Sequence, residues 1–386
     1  MTKTSPSCLI IAGEKSGEEH AMTFVPALKQ AFPDLELWGV GGDALKQEGM
    51  KLFYHLEQFS SWGYSEVISK IPFYFQALKK IENEVVARNC KVAILIDFQS
   101  FNMKLASRLK RRGVKILYYV APQAWAWKSY RAKTIAKSVD HLFTIIPFEK
   151  RWFSDRGVSQ VESVSHPVWL RFKDEFSDDV FNLKKKDLSQ GPIKLLLLPG
   201  SRNFEVQKLL PTFIEAVKVY KHKRDVEVSI VVSPNVKRDL YHIGDDIYDQ
   251  VFQDHELSNA LKQSDLAIAA SGTVTLTSAL FCLPTIVCYK SSLLNQFIFE
   301  TFVNYKGHIS LANIVHEKEV FPEFIQDRVS LHNILKVLDK WTSEADSYAE
   351  VVSTLKATKD LINPDPHIFI ETLKEIIGDE YDRVCK

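Results

Sequence analysis

Short apolar runs alternate along the chain with longer stretches in which apolar residues recur every three or four positions. The runs CLIIAG (8–13), LELWGV (35–40), KVAILID (91–97) and VKILYYVA (114–121) are apolar on both faces, as strands inside a parallel sheet must be. Between them, HAMTFVPALKQAF (20–32) and FNMKLASRLKRRG (101–113) carry the spacing of helices packed on one face. After SHPVWLRF (165–172) the pattern pauses in a charged, irregular stretch, residues 174–192, which reads as a linker. A second series follows, with IKLLLLP (193–199), VEVSIVVS (226–233), DLAIAAS (265–271) and PTIVCYK (284–290) as strands. From about residue 328 onward only helical patterns remain. Strand–helix alternation builds βαβ units with right-handed crossovers. The pattern therefore predicts an α/β protein of two doubly wound, Rossmann-like domains facing across a cleft, with ligands at the carboxyl ends of the strands. The expected boundaries are 1–168, 169–340, and C-terminal helices over 341–386 packing back across the domains.

Composition adds limits. With 386 residues, 46% hydrophobic and 25% charged, the chain can form two cores. Five cysteines (Cys8, Cys90, Cys282, Cys288, Cys385) show no CxxC spacing, so neither a disulfide framework nor a metal site is expected. The first apolar run is too short for a signal peptide, and no stretch approaches the roughly 20 apolar residues of a membrane span. A cytoplasmic location is expected. A net charge of +1 argues against bulk nucleic-acid binding. That average conceals residues 60–137, which hold 15 Lys or Arg against 4 Asp or Glu. Such segregation implies an anionic surface or substrate, or else a solvated basic face.

Within that basic region lies EVISKIPFYFQALKK (66–80). Val67, Ile68, Ile71, Phe73 and Phe75 form an apolar and aromatic surface flanked by Lys70, Lys79 and Lys80. This is the composition of an interfacial membrane anchor, or of a buried core helix. Pro72 predicts two short helical pieces or a kink.

Four polar loops follow apolar strands. In AGEKSGEEH (12–20), Gly13 and Gly17 permit a tight turn and Ser16 can cap a helix whose N-terminus favours an anion. In LIDFQSFN (95–102), Asp97 ends a buried strand, either as a general base or as the cap of a helix beginning near Asn102. In LLLLPGSRNFE (195–205), Gly200, Ser201 and Arg202 offer backbone N–H groups and a guanidinium fork to a phosphate, with Glu205 in register to cap the first turn. In AASGTVTLTSAL (269–280), Ser271, Gly272 and Thr273 make a second anion-friendly helix start. Two such loops in one half suggest a diphosphate, hence a nucleotide-sugar donor.

GEKSGEEH, WGVGGDALKQEGM, WGYSEV, IDFQSFN, YYVAPQAWAWKSYR, PFEKRWF, SHPV, LLPGSR, ASGT and SLANIV occur here in the order seen in the lipid-A-disaccharide synthases, which the chain resembles over residues 8–330. The resemblance implies an inverting glycosyltransferase of the GT-B fold that needs no metal or other cofactor. It would join UDP-2,3-diacylglucosamine to 2,3-diacylglucosamine 1-phosphate, giving a β-1,6-linked disaccharide and UDP in lipid A biosynthesis. It also implies a peripheral protein on the cytoplasmic face of the inner membrane. Asp97 then matches the family's essential acidic residue, Arg202 its essential arginine and Asn313 its functionally important asparagine. Asn102, Pro122, Trp125, Trp127 and Arg131 fall in blocks expected at the acceptor side or the cleft mouth. Glu18, Ser100, Ser165, Thr277 and Ala312 depart from the family pattern. An isomerase acting on nucleotide sugars on the same fold, or a weakly catalytic paralogue binding lipid or UDP-sugar, are the competing readings. An oligomer is compatible with the sequence.

Overall fold

The computed structural model describes residues 6–59, 69–126, 128–177, 179–184, 187–189, 191–291, 307–365 and 367–385. All five residues of Val92–Ile96 (β4) are buried, because Val-Ala-Ile-Leu-Ile has no polar side chain to turn toward water. Around it Ser7–Ala12 (β1), Glu36–Gly41 (β2), Lys51–His55 (β3), Lys115–Tyr119 (β5), His141–Thr144 (β6) and Val161–Ser163 (β7) complete a seven-stranded sheet. Its order is β3-β2-β1-β4-β5-β6-β7, every pairing parallel. The direction of winding reverses between β1 and β4. In an open parallel sheet that is where the loops diverge and a ligand crevice opens.

Ile193–Leu198 (β8), Val226–Val232 (β9), Gln250–Gln253 (β10), Leu266–Ala270 (β11), Thr285–Tyr289 (β12) and Glu323–Ile325 (β13) build a six-stranded sheet. Its order is β10-β9-β8-β11-β12-β13, again all parallel. Here the reversal falls between β8 and β11. The phosphate-friendly loops leave those two strands.

The chain forms two compact units, Met1–Pro167 with Asn363–Lys386, and Val168–Ile362. In the first, the helix Ile368–Cys385 returns to the sheet and Phe369 packs on Tyr119, Phe143 and Phe24, with ring centroids 4.4, 4.7 and 5.0 Å away. In the second, the helix Asn203–Lys221 buries Val206, Leu210, Phe213 and Val217 against the sheet, each large side chain contributing about 1.5–3 kcal/mol. Tyr220, from the same helix, shares a 2.5 Å hydrogen bond with Thr342 of the helix Leu331–Ser343.

One sequence expectation changes. The charged stretch 174–192 is no free linker: it lies inside the second unit, with Lys184 buried. The Lys184 ammonium donates to the carbonyls of Leu261 (2.7 Å), Lys262 (3.0 Å) and Ser264, at the end of the helix Leu257–Gln263. A cation there satisfies carbonyls that the helix leaves without partners. Of the stretch 66–80, expected as two helical pieces or a kinked one, residues 66–68 lie outside the described residues. One continuous helix spans Ile71–Ala87 with Pro72 in its first turn, where the missing N–H has no intrahelical acceptor to lose.

Candidate functional site

In the first unit, the carboxyl ends of β1 and β4 meet at an apolar cavity of about 560 Å³. Phe59, Ile71, Tyr74, Phe75 and Phe98 line it, and two carboxylates, Glu14 and Asp97, open onto it. Asp97 and Phe98 both have left-handed backbones, φ 43° and 42°, at a β4–helix turn that contains no glycine. Strain of this kind persists only where the surroundings fix it. They do: Asp97 N–H donates to Tyr119 O (2.9 Å), while Asp97 O accepts from Tyr118 Oη (2.7 Å) and Asn102 Nδ2 (2.9 Å). Gly13 is required beside it, since a Cβ there would stand 2.7 Å from the Phe98 ring.

Burial and the neighbouring Glu14 charge push the Asp97 carboxyl up to about 6, against a smaller opposing pull from the Phe98 N–H. The carboxyl thus holds a proton more readily than an exposed aspartate and releases it near neutrality. The alternative of Asp97 as a helix cap is not what forms. The helix runs Gln99–Lys110 and Phe98 occupies its cap position. Asn102 is buried and its amide nitrogen clasps Ile96 O (3.0 Å) as well as Asp97 O, so it positions the strand end.

Ser16 lies exposed in the first turn of the helix Lys15–Met22, whose cap position is Glu14, and caps nothing. Gly17 is buried beside β1, where a Cβ would meet Ala12 Cα in ordinary contact at 3.4 Å. Glu18 is buried. Burial pushes its carboxyl up, but Lys15 at 2.7 Å and the Leu45 and Gly42 N–H groups outweigh that and hold it below the usual range. Glu18 therefore ties this loop to the start of the helix Asp43–Gln47.

The AWAW block divides. Trp125 Nε1 donates to Glu149 Oε1 at 2.8 Å, and its ring meets Phe148 edge-on at 5.1 Å. Glu149 is fully buried, and burial lifts its carboxyl to about 7 despite the Trp125 hydrogen bond. Glu149 carries no signal of its own in the sequence, although it sits inside PFEKRWF. Pro122 is buried, and Arg131, also buried, donates to Gln99 Oε1 at 2.5 Å. Trp127 lies outside the described residues. So do Val67 and Ile68 of the expected membrane face. Of its other members Ile71 and Phe75 are 45% and 52% exposed, whereas Phe73 turns inward onto Phe59 and Tyr54 at 5.2 and 5.7 Å.

The second unit brings together Gly200, Ser201, Arg202, Glu205, Ser271, Gly272 and Thr273 around a cavity of about 330 Å³. Gly200 has φ 119°, and a Cβ there would collide with Glu205 at 2.6 Å. Glu205 accepts from Ser201 N–H (3.0 Å) and Arg202 (2.9 Å), so one carboxylate orients both the loop and the guanidinium. The Arg202 side chain is 79% exposed, extended into reach of a ligand. Across the cavity Ser271 donates to Ile309 O (3.0 Å), and the helix Thr273–Leu280 begins there with its N–H groups pointing outward. Arg171 and Asp254, 3.4 Å apart, also line this cavity and were not legible as site residues.

Asn313 is not among the lining residues. It is buried: Nδ2 donates to Phe321 O and Glu323 Oε1 (both 2.8 Å), and Oδ1 accepts from Val320 and Phe321 N–H. With both amide ends occupied inside the fold, it positions Ser310 and Glu323. Among the departures, Ser165 donates to Asn363 (2.6 Å), Thr277 is buried with its hydroxyl on Thr273 O (3.3 Å), and Ala312 is buried. No metal-holding cluster of His, Cys, Asp or Glu is present among the described residues.

Two parallel sheets with polar loops at their switch points define the GT-B class, and solved structures agree. A glycosyltransferase from Rickettsia africae superposes with a TM-score of 0.53 at 14% identity, covering 99% of each chain. A UDP-GlcNAc 2-epimerase from Neisseria meningitidis bound to UDP-GlcNAc gives 0.54 at 9%, covering 96% of this chain and 99% of that one. The family is set by sequence. The lipid-A-disaccharide synthetase family model matches residues 8–365. A lipid-A-disaccharide synthase from Myxococcus xanthus is 33% identical over 85% of this chain and 86% of that protein, and one from Francisella philomiragia is 30% identical over 95% and 96%. The chain belongs to the lipid-A-disaccharide synthase family, glycosyltransferases of lipid A biosynthesis.

Proposed function

We propose that the chain transfers the acylated glucosamine of a UDP-2,3-diacylglucosamine donor to the 6-hydroxyl of 2,3-diacylglucosamine 1-phosphate. The acceptor oxygen attacks the donor's anomeric carbon as the bond from that carbon to the diphosphate oxygen breaks. The configuration inverts, UDP leaves with the electron pair, and the hydroxyl proton passes to Asp97. The observation that carries this reading is a carboxylate lifted to about 6 at a strained strand end, opening onto an apolar cavity. A base of that pKa is mostly ionised at neutral pH and still accepts a proton readily. Arg202 and the N–H groups of the Gly200–Ser201 and Gly272–Thr273 turns would take the charge developing on the diphosphate.

The pH profile tests the reading. A base works only when deprotonated, so kcat/KM should fall about tenfold per pH unit below about 6 and level off above it. A rate that stays flat from pH 5 to 7 would remove Asp97 from the base role.

We also infer peripheral attachment to the cytoplasmic face of the inner membrane. No described helix is long and apolar enough to cross a membrane. The exposed Ile71 and Phe75 instead suit an interfacial contact. Ile71→Ser with Phe75→Ser should keep the circular dichroism spectrum and thermal midpoint near wild type while reducing sedimentation with anionic vesicles several-fold. Unchanged vesicle binding would remove these two residues from the contact. Phe73 is left out of the test because it packs inward.

A further inference from the structure

The apolar cavity has a polar neighbour. A second cavity, of about 470 Å³, is lined by Lys104, Arg108, Arg111, Lys128 and Arg131, and among the described residues no acidic side chain lines it. Ser100 and Lys104 line both cavities. The junction has a physical origin in the helix Gln99–Lys110 and its last cap residue Arg111. Positions 100, 104, 108 and 111 lie three or four apart and share one face, so the polar end of that face borders the aromatic cavity and the rest is cationic. The Lys104 ammonium stands 5.2 Å from the centroid of Phe75, a ring that lines the apolar cavity. It marks the boundary between the two.

The three cations of this helix face, Lys104, Arg108 and Arg111, are poorly neutralised from within. Lys104 and Arg111 have no ion-pair partner among the described residues. Arg108 reaches Glu82 only at 3.5 Å, and Glu82 is held more closely by Arg112 at 2.9 Å. Five like charges around one cavity repel one another, and an anion seated there relieves the repulsion. Arg side chains offer planar forks to phosphate oxygens, and a phosphate monoester carries between one and two negative charges at neutral pH.

Building on the transferase reading above, we propose that the basic cavity binds the 1-phosphate of the acylated sugar-phosphate acceptor while one of its acyl chains occupies the apolar cavity. An amphiphile with an anionic head and an apolar tail complements this pair of adjoining cavities. Lys104, Arg108 and Arg111 then determine specificity: they select the phosphorylated acceptor over its unphosphorylated counterpart and leave donor binding alone.

The test uses Lys104→Gln, Arg108→Gln and Arg111→Gln combined, all three on the surface of one helix. The probes are 2,3-diacylglucosamine 1-phosphate with acyl chains short enough to stay in solution, and the same sugar without phosphate, both without vesicles. For the phosphorylated acceptor KM should rise about tenfold or more with kcat near wild type, since charge-assisted contacts to phosphate are removed. KM for the unphosphorylated sugar and the Kd for UDP should stay within about twofold, the range in which removing a remote surface charge is felt. Equal changes with both acceptors, or none with either, would overturn the proposal. So would loss of anionic-vesicle binding with unchanged KM, which would assign the cations to the lipid surface. If the triple variant loses its fold by circular dichroism, Lys104→Gln alone must show the same selective rise. Should the wild-type protein make no disaccharide, the transferase reading fails separately. Calorimetry then still tests the cavity: wild type must bind the phosphorylated sugar about tenfold more tightly than the other, a gap of about 1.4 kcal/mol.

Discussion

Asp97→Asn should lose turnover by about 10²–10⁴-fold while UDP affinity and thermal midpoint stay close to wild type, the range expected when a general base is removed. The substitution keeps the shape of the side chain. The turn is held by Asp97 N on Tyr119 and Asp97 O on Tyr118 and Asn102, and the carboxylate's contact with the Phe98 N–H is one that an amide oxygen can also accept. Burial and the Glu14 charge disfavour the ionised carboxylate, so an uncharged amide there relieves a penalty. A structural role for the carboxylate would therefore show as altered stability with turnover retained. Steady-state kinetics alongside calorimetric melting separates the two outcomes. Wild-type turnover in the variant would transfer the base to another group, with Glu14, the other carboxylate on the cavity, the first to examine.

Arg202→Ala should lower turnover by about 10²–10³-fold, as removal of one donor to developing negative charge does elsewhere, and should weaken UDP-sugar binding. Arg202→Lys should not restore it. The guanidinium donates to Glu205 at 2.9 Å, yet most of the side chain is exposed, so one part of the fork is anchored and the rest would be left for the proposed diphosphate. Lysine offers a point charge on a flexible stem and cannot divide its contacts in that way. Equal UDP affinity in a titration of all three proteins, together with retained activity, would dissolve the clamp.

How much of this could be read before the fold was known depends on how each residue announces itself. The buried strands β1, β4, β5, β8 and β11 each contain an unbroken apolar run of four or five residues, and such runs have few alternatives to a parallel sheet. The edge and short strands β3, β6, β7, β10 and β13 gave no such signal. KLFYH and QVFQ carry polar residues on an exposed side, and VES and EFI are three residues long. Loops at the switch points were visible because glycine, serine and arginine cluster after those strands. The left-handed pair Asp97–Phe98 was not, since no glycine marks it and its support comes from Tyr118, Tyr119 and Asn102, distant or unremarkable in sequence. Buried carboxylates were the hardest. Glu149 and Glu18 look like solvated helix residues until Trp125 and the Leu45 N–H are seen to meet them. Asn313 is instructive in the other direction. Its resemblance to a functional asparagine drew it into the reacting set, whereas its amide is fully engaged with residues 320–323.

On the proposed reading these two sites serve one group transfer. The most direct measurement incubates the purified chain with UDP-2,3-diacylglucosamine and 2,3-diacylglucosamine 1-phosphate and follows both products by NMR and mass spectrometry. UDP and a β-1,6-linked disaccharide 1-phosphate should appear in equal amounts, at a rate that falls as pH drops below about 6. UDP released without disaccharide, or a donor sugar inverted at its second carbon and still joined to UDP, would contradict it.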